Sequence, residues 1–432
     1  MKILVYVRTW NKDFFGKMAK DAFENAEITY FSDFRKRGDI WSGEYIYNSK
    51  YDMDNLEYDE IKNDIILRCR FLRSLPLQKA EALSRRFWNG FEELMKKEKY
   101  DVLITAAIDC YTMDIMERIV TKYNCGYYSI IPSFIKGYGR FTRRGELFDA
   151  NRLVDDAEVN SVVEMLTKDD YKVAFALNKE KSEWEVRKFY YRRKLTNILF
   201  GIKKHLERDK WNYHYNTLSF TGGNYSLYSP KEAKKYYKRI SEISFGVKCV
   251  YMPLHYAPEA TVDYWCDNPE CAKYEASVID FIRNSSSNIQ FVLKEHPAMY
   301  GKRHVEFYRD LMNLGNVVIV HPYENSNQLL RSIENVLVYT GSVGVESLLR
   351  NKRVFTVAKN YYYGIHENIH FVDKLKDVDL EIQIKNVDNK EFVRTLLAGM
   401  YKGYTVLGRD IEKSDLNSIV GELKRIHESK IK

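Results

Sequence analysis

At 432 residues the chain exceeds what one hydrophobic core usually serves, so two domains are expected. Apolar residues make up 45% of it, as in an ordinary globular protein, and the absence of any ~18-residue apolar run excludes a membrane-spanning helix. The formal net charge of +8 is modest, and six scattered cysteines make no disulfide framework, which points to a reducing cytoplasm.

The opening M-K-I-L-V-Y-V-R-T-W has a basic residue and a short apolar run, but the run meets Arg8 at once. It predicts a first strand, Ile3 to Val7, not a signal peptide. A helix from Lys12 to Asn25 and a strand from Ile28 to Phe31 follow. Tyr58 to Lys99 reads as largely helical, with apolar positions every three or four residues. Asp101 to Ala107 has the composition of a buried strand, Thr112 to Tyr123 of a helix and Tyr127 to Ile131 of a closing strand. This alternation predicts a parallel sheet covered on both faces.

From about Asp155 to Gly246 the strand runs stop and helical periodicity with Lys, Arg and Tyr takes over. Residues 179–210 are dense in cations, with Trp184, Phe189, Tyr190, Tyr191, Leu195, Ile198, Leu199 and Phe200 interleaved. Such a segment is a solvated helix or a contact for an anionic membrane surface. No helix-turn-helix, zinc-finger or RNP pattern supports nucleic acid.

A second α/β series then begins, with strands at Val250 to Leu254, Ile289 to Lys294, Val317 to Val320, Val336 to Tyr339 and Val354 to Val357. Helices are expected at Lys273 to Asn284, His304 to Leu314, Ser326 to Ser332 and Val343 to Arg350, and an amphipathic helix at about Ile411 to Glu428 ends the chain. The expected division is an acceptor-side α/β domain over 1–154, a helical basic segment and linker over 155–246, a nucleotide-sugar-binding α/β domain over 247–400 and a returning helix over 401–432. The fold class is α/β: two Rossmann-like, doubly wound domains with a cleft between them and a helical insertion.

In open parallel sheets ligands bind beyond the carboxyl ends of the strands, and here those ends are polar. Thr340-Gly341-Ser342-Val343-Gly344-Val345-Glu346 joins a strand to a helix. Its glycines allow a tight turn, and Ser342 either caps the helix or donates to a phosphate. It is neither a Walker loop nor G-x-G-x-x-G. Glu346 can accept from ribose hydroxyls. In Lys294-Glu295-His296-Pro297 the proline ends the strand, and alternation puts Lys294 and His296 on one side and Glu295 on the other. His255 and Glu259 follow the first strand of the second series, between Pro253 and Pro258. In the first domain, Asp109 after V-L-I-T-A-A-I is either a base or nucleophile toward a sugar or the cap of the next helix. Tyr138 and Arg140, with Arg143 and Arg144 in the loop K-G-Y-G-R-F-T-R-R-G, can hold an anionic or sugar acceptor. Cys266 and Cys271 lack the second pair that zinc needs, and no metal site is expected.

P-L-H-Y-A-P-E-A, K-E-H-P-A-M-Y-G-K-R with F-Y-R-D-L, and Y-T-G-S-V-G-V-E-S-L, in that order over about residues 250–358, resemble the bacterial capsule polysaccharide biosynthesis family, which includes Kdo transferases. The resemblance implies a GT-B glycosyltransferase with the donor nucleotide in the second domain and the acceptor in the first. On the pattern of transferases that use CMP-sugars, it implies that His296 and Pro297 contact the nucleotide and that Ser342, with Gly341, Val343 and Gly344, holds its phosphate. Lys294 would ease departure of the nucleotide. Asp109 and Glu259 are the candidate catalytic carboxylates, Asp109 by position and not by motif. The expected donor is a CMP-activated nonulosonic acid such as Kdo, with no other cofactor, and the acceptor a capsule or other surface glycan, lipid-linked or growing, at the inner face of the membrane. Two alternatives are a sugar-nucleotide epimerase of the UDP-GlcNAc 2-epimerase type and a non-catalytic scaffold in glycan assembly.

Overall fold

A computed structural model describes residues 1–147, 152–168, 171, 181–216, 230–246, 248–257, 259–372, 378–403 and 413–431. The chain separates into two compact units, one of Met1–Leu153, Thr196–Phe220 and Leu397–Lys432, the other of Val154–Leu195 and Thr221–Leu396. The basic segment is thus shared between them. Pro258 and Ile411 lie outside the described residues, as do Lys179 and Glu180 at the start of that segment.

The first unit contains β1 (Lys2–Tyr6), β2 (Glu27–Ser32), β3 (Ile40–Trp41), β4 (Val102–Ala106), β5 (Gly126–Pro132) and β6 (Tyr138–Thr142). The second contains β7 (Tyr237–Lys238), β8 (Cys249–Pro253), β9 (Gln290–Lys294), β10 (Val317–Val320), β11 (Asn335–Val338), β12 (Arg353–Thr356) and β13 (Ile369–Phe371). A last strand, β14 (Tyr401–Lys402), returns to the first sheet.

The first sheet runs β14-β6-β5-β4-β1-β2-β3, parallel from β3 to β5 and antiparallel at β6 and β14. The second runs β13-β12-β11-β8-β9-β10-β7 and is parallel throughout. The order reverses between β1 and β4 in the first sheet and between β8 and β11 in the second, where β7 adds an outer strand beyond β10, and this is the arrangement of a Rossmann-like doubly wound fold.

Parallel strands covered on both faces read as unbroken apolar runs, and V-L-I-T-A of β4 and N-V-L-V of β11 are buried at every position. Around the second sheet Val250, Met252, Phe291, Leu293, Val278 and Leu311 form one core with side chains almost wholly out of water, each contributing about 1.5–3 kcal/mol where it is a Val, Leu, Ile, Phe or Met. The long helical stretch divides into helices Leu56–Arg68 and Leu77–Glu98, since Pro76 cannot supply the amide that a continuous helix needs. The closing helix Lys413–Ile431 belongs to the first unit, where His427 hydrogen-bonds the Tyr128 hydroxyl at 3.1 Å and meets the edge of Phe23.

One expectation is corrected here. The segment K-G-Y-G-R-F-T is not a binding loop: Tyr138–Thr142 is β6, paired with β5 from Ser129↔Thr142 to Pro132↔Gly139. Tyr138 and Arg140 are buried, and the Arg140 guanidinium donates to the carbonyls of Gly145 (2.6 Å) and Glu146 (2.8 Å), so it closes the following turn. Arg143 and Arg144 are likewise engaged, with Glu117 and Asp114 of helix Tyr111–Lys122. An arginine in a glycine-rich run reads as surface until the carbonyls that accept its hydrogen bonds are known.

Asp114 is wholly buried between Arg118 (3.0 Å) and Arg144. Burial pushes its carboxyl up, but the two guanidiniums outweigh it and hold it below the usual aspartate value. Asp114→Ala removes a buried carboxylate from between two guanidiniums that keep Asp64 and Glu117 as partners, and is expected to lower stability by about 1.5–3 kcal/mol in urea denaturation. Because the folded value is depressed, the contribution is present above the ordinary aspartate value of about 3.9 and is lost as pH falls through the folded one. The difference between wild type and variant should therefore shrink in acid.

Candidate functional site

The carboxyl ends of β9, β8 and β11, which lie side by side, are joined by one buried chain of polar contacts. Glu295, the first residue after β9, is fully buried. Its carboxylate accepts from Arg303 (2.7 and 3.2 Å), from the Tyr308 hydroxyl (2.6 Å) and from the His296 amide (2.6 Å). Arg303, also fully buried, donates onward to the His255 carbonyl at 2.8 Å, beyond β8. The His255 ring, between Tyr274 and Tyr339, takes the Thr340 amide on Nε2 at 3.4 Å, beyond β11. Burial drives the His255 pKa down to about 3, so the ring is neutral and acts as an internal brace beneath the Gly341 turn.

Because Glu295 is occupied by Arg303, its neighbour is left without a counter-ion. Lys294 is buried, and among the described residues its ammonium has no hydrogen bond or ion pair. Burial lowers its pKa to about 8, against the weaker pull of Glu295, Glu346 and Glu324. Alternation thus separates Lys294 from Glu295 as the sequence predicts, although both are buried.

His296 is half-buried. Its Nδ1 accepts from the Ala298 amide at 3.1 Å in the turn Pro297–Met299, so the neutral ring carries its proton on Nε2. Burial takes its pKa to about 4, and Lys294, Arg303 and Lys302 act in the same direction. Lys302, overlooked in the sequence, is buried with its ammonium 4.3 Å from the Phe189 ring centre, and burial lowers its pKa to about 8. Two lysines thus flank a histidine that can only donate.

In the elbow after β11 neither Gly341 nor Gly344 has a positive φ, so the turn itself does not require glycine. Gly344 is required by packing: a β-carbon there would stand 2.2 Å from the Tyr362 hydroxyl, which donates to the Gly341 carbonyl at 2.8 Å. Ser342 does not cap the helix Val343–Leu348; its hydroxyl faces Glu346 Oε1 at 3.3 Å. Burial raises the Glu346 carboxyl, with Arg350, Ser342 and Lys294 opposing. Val343 opens the helix. Glu259 stands just before the short helix Ala260–Asp263 and accepts from the Thr261 hydroxyl at 2.9 Å, a local contact that leaves it no exclusive role.

The first unit has its own polar cluster where its strand order reverses. Asp109, beyond β4, does not cap the next helix but pairs through both oxygens with Arg8, beyond β1. Burial raises its carboxyl, yet the Arg8 charge and hydrogen bonds hold it below the usual range; its side chain remains 31% exposed, enough to be reached. Beside it lies a pair the sequence did not reveal. Asp33, beyond β2 and buried, accepts on one oxygen from Tyr6, from Thr112 (3.1 Å) and from His214 Nε2 (3.1 Å). Against burial, the His214, Tyr6 and Ser42 contacts keep the Asp33 carboxyl below its ordinary value. In the tautomer whose Nε2 donates to the Asp33 carboxylate, His214 Nδ1 is the acceptor of the ring, and the ring itself stacks on Phe34 at 4.9 Å.

Residues 220–367 match the family model of capsule polysaccharide biosynthesis proteins. The match contains the three motifs that carry the resemblance, and it contains Lys294, His296, Lys302 and the 341–346 elbow. No curated protein matches the chain. Among solved structures it is similar to Thermosulfurimonas dismutans KpsC, a beta Kdo 2,7 transferase, at 11% identity over 98% of each chain with a TM-score of 0.40. It is also similar to the UDP-GlcNAc 2-epimerase of Methanocaldococcus jannaschii, at 11% identity over 98% and 97% of the chains and a TM-score of 0.24. A third, the E. coli heptosyltransferase WaaC with ADP, gives 11% over 88% and 97% and a TM-score of 0.22.

The two glycines of the elbow should behave differently. Gly344→Ala forces the Tyr362 hydroxyl aside and is expected to lower stability by about 1–3 kcal/mol. A β-carbon at Gly341 meets only His255 carbons and nitrogen at 3.5–3.6 Å, an ordinary contact, so Gly341→Ala should stay within about 0.5 kcal/mol of wild type. Thermal unfolding of both variants checks the contrast.

Proposed function

We propose that the chain is a nucleotide-sugar-dependent glycosyltransferase of capsule or other surface-glycan assembly, with its donor held by the second unit. The observation that carries this is Lys294: a buried lysine whose ammonium has no ion pair among the described residues, at the strand end of a doubly wound sheet, inside the segment that matches the capsule family model. A phosphate supplies the missing charge. His296 Nε2–H supplies a donor to the same anion; the Ser342 hydroxyl, which donates to Glu346 at 3.3 Å, turns to the phosphate when Glu346 accepts from ribose hydroxyls instead.

The donor that fits best is a CMP-activated nonulosonic acid such as Kdo. Such a donor has two separate anionic groups, the phosphate and the sugar carboxylate. Lys294 and Lys302 both act on His296 electrostatically, so each anion can have its own lysine. As the bond to the nucleotide breaks, charge gathers on the phosphate, where Lys294 and His296 stabilise it.

The first unit supplies the acceptor-side chemistry. Asp109, kept ionised by Arg8, suits a nucleophile better than a general base, whose pKa should lie near the working pH. The base is His214, held by Asp33, and it takes the proton of the acceptor hydroxyl.

Calorimetry with CMP, UDP and GDP tests the donor site. CMP should bind most tightly, and His296→Ala should weaken it by ~10–100-fold, the range for a lost hydrogen bond to a charged group. Equal binding of all three nucleotides, unaffected by His296→Ala, rules out the CMP assignment. Lys294 has a lowered pKa, so its ammonium is present below about 8 and lost above. CMP affinity should fall between neutral pH and pH 9–10 in wild type and stay flat in Lys294→Met. Asp109→Asn should abolish transfer while leaving CMP affinity unchanged. Asp33→Asn should slow transfer and move its pH profile, because the His214 tautomer is then no longer fixed.

A further inference from the structure

The helix Glu183–Leu206 has two apolar faces, and the fold covers one of them. On the covered side Val186 is buried, Phe189 lies beneath the Lys302 ammonium, and Phe200 packs 5.9 Å from Tyr215. On the other side Trp184, Tyr191, Leu195, Ile198, Leu199, Ile202 and Leu206 are 53–74% exposed. At about 100° per residue these seven fall within an arc of about 100°, along about 33 Å of helix. Scattered exposed apolar residues need no explanation, but a continuous stripe marks a contact surface.

The charges beside the stripe indicate what covers it. Lys188 lies within the arc, and Arg187, Arg192, Lys194 and Lys203 border it, all exposed. Acidic residues are confined to the first turn, Glu183 and Glu185, and Glu183 is paired with Arg187 at 2.7 Å. A second copy of the same face would bring these cations against each other. An anionic bilayer answers both features: the apolar stripe enters the acyl boundary while the cations reach the headgroups. Among the described residues no helix is long and apolar enough to cross a membrane, so the helix would lie along the surface.

We propose that this face is an interfacial anchor that seats the chain on an anionic phospholipid surface. The proposal does not depend on the donor assignment, since the stripe shares no residue with the nucleotide site.

The test is flotation of the full chain with vesicles of phosphatidylcholine alone and of phosphatidylcholine mixed with phosphatidylglycerol, alongside light scattering without lipid. Two triple variants are compared: Leu195→Glu, Ile198→Glu, Ile202→Glu, and Arg187→Glu, Arg192→Glu, Lys194→Glu. Wild type should float with the phosphatidylglycerol vesicles and release at high salt. Charge reversal should weaken partition by at least on the order of 100-fold, at roughly fivefold for each of the three cations removed. The apolar variant should not float at any salt concentration, and both should keep the wild-type circular-dichroism spectrum and melting temperature, which shows that they fold. Flotation unchanged by either variant overturns the proposal. So does a wild-type dimer that the apolar variant dissociates, with no vesicle binding in either form.

Discussion

The Glu295–Arg303 pair is the constraint on which the second unit's strand ends depend. Both groups are completely buried, so neither can lose the other without leaving a charge in the core, a change worth about 3–5 kcal/mol. Through the His296 amide, the His255 carbonyl and the Thr340 amide, this pair positions the ends of β9, β8 and β11. It also decides the electrostatics of the site. A carboxylate satisfied by an arginine and a tyrosine has nothing left for Lys294, which sits one residue away with no hydrogen bond or ion pair on its ammonium among the described residues. Rigidity and appetite for an anion thus have one origin.

The two units share a topology but leave different groups at their strand ends. In both a polar contact bridges the central switch of strand order, part-buried between Arg8 and Asp109 in the first and buried between His255 and Thr340 in the second. In the first unit the bridge leaves a reachable, ionised carboxylate beside the Asp33–His214 pair. In the second it leaves cations and hydrogen-bond donors. Carboxylate and imidazole suit an attack on carbon and removal of a proton; ammonium and N–H suit a departing phosphate. The division of labour follows from which charge each strand end leaves uncompensated.

Much of this was legible in the sequence because parallel strands buried on both faces are continuous apolar runs. V-V-I-V, N-V-L-V and V-L-I-T-A each stand in the structure within a residue or two of where periodicity puts them. Lys294 and His296 were legible too, since Pro297 marks the strand end. What escaped depends on partners far away in the chain. Asp33 and His214 are 181 residues apart, and nothing local in F-S-D-F or N-Y-H-Y announces the other. Strand β6 was concealed by its glycines and by Arg140, whose burial makes sense only once the Gly145 and Glu146 carbonyls are seen. The helix Glu183–Leu206 read as basic and aromatic without a single apolar face because it has two, on opposite sides.

The central claim is the proposed one, that Lys294, buried and without an ion pair among the described residues, receives the phosphate of a nucleotide. Its side-chain titration, followed by NMR on lysine-labelled protein with Lys294→Arg as the assignment control, measures this directly. The ammonium should titrate near 8 in the free protein, and CMP should move it back toward or above the ordinary lysine value of about 10.4. A Lys294 that titrates at the ordinary value and does not respond to CMP would contradict the account.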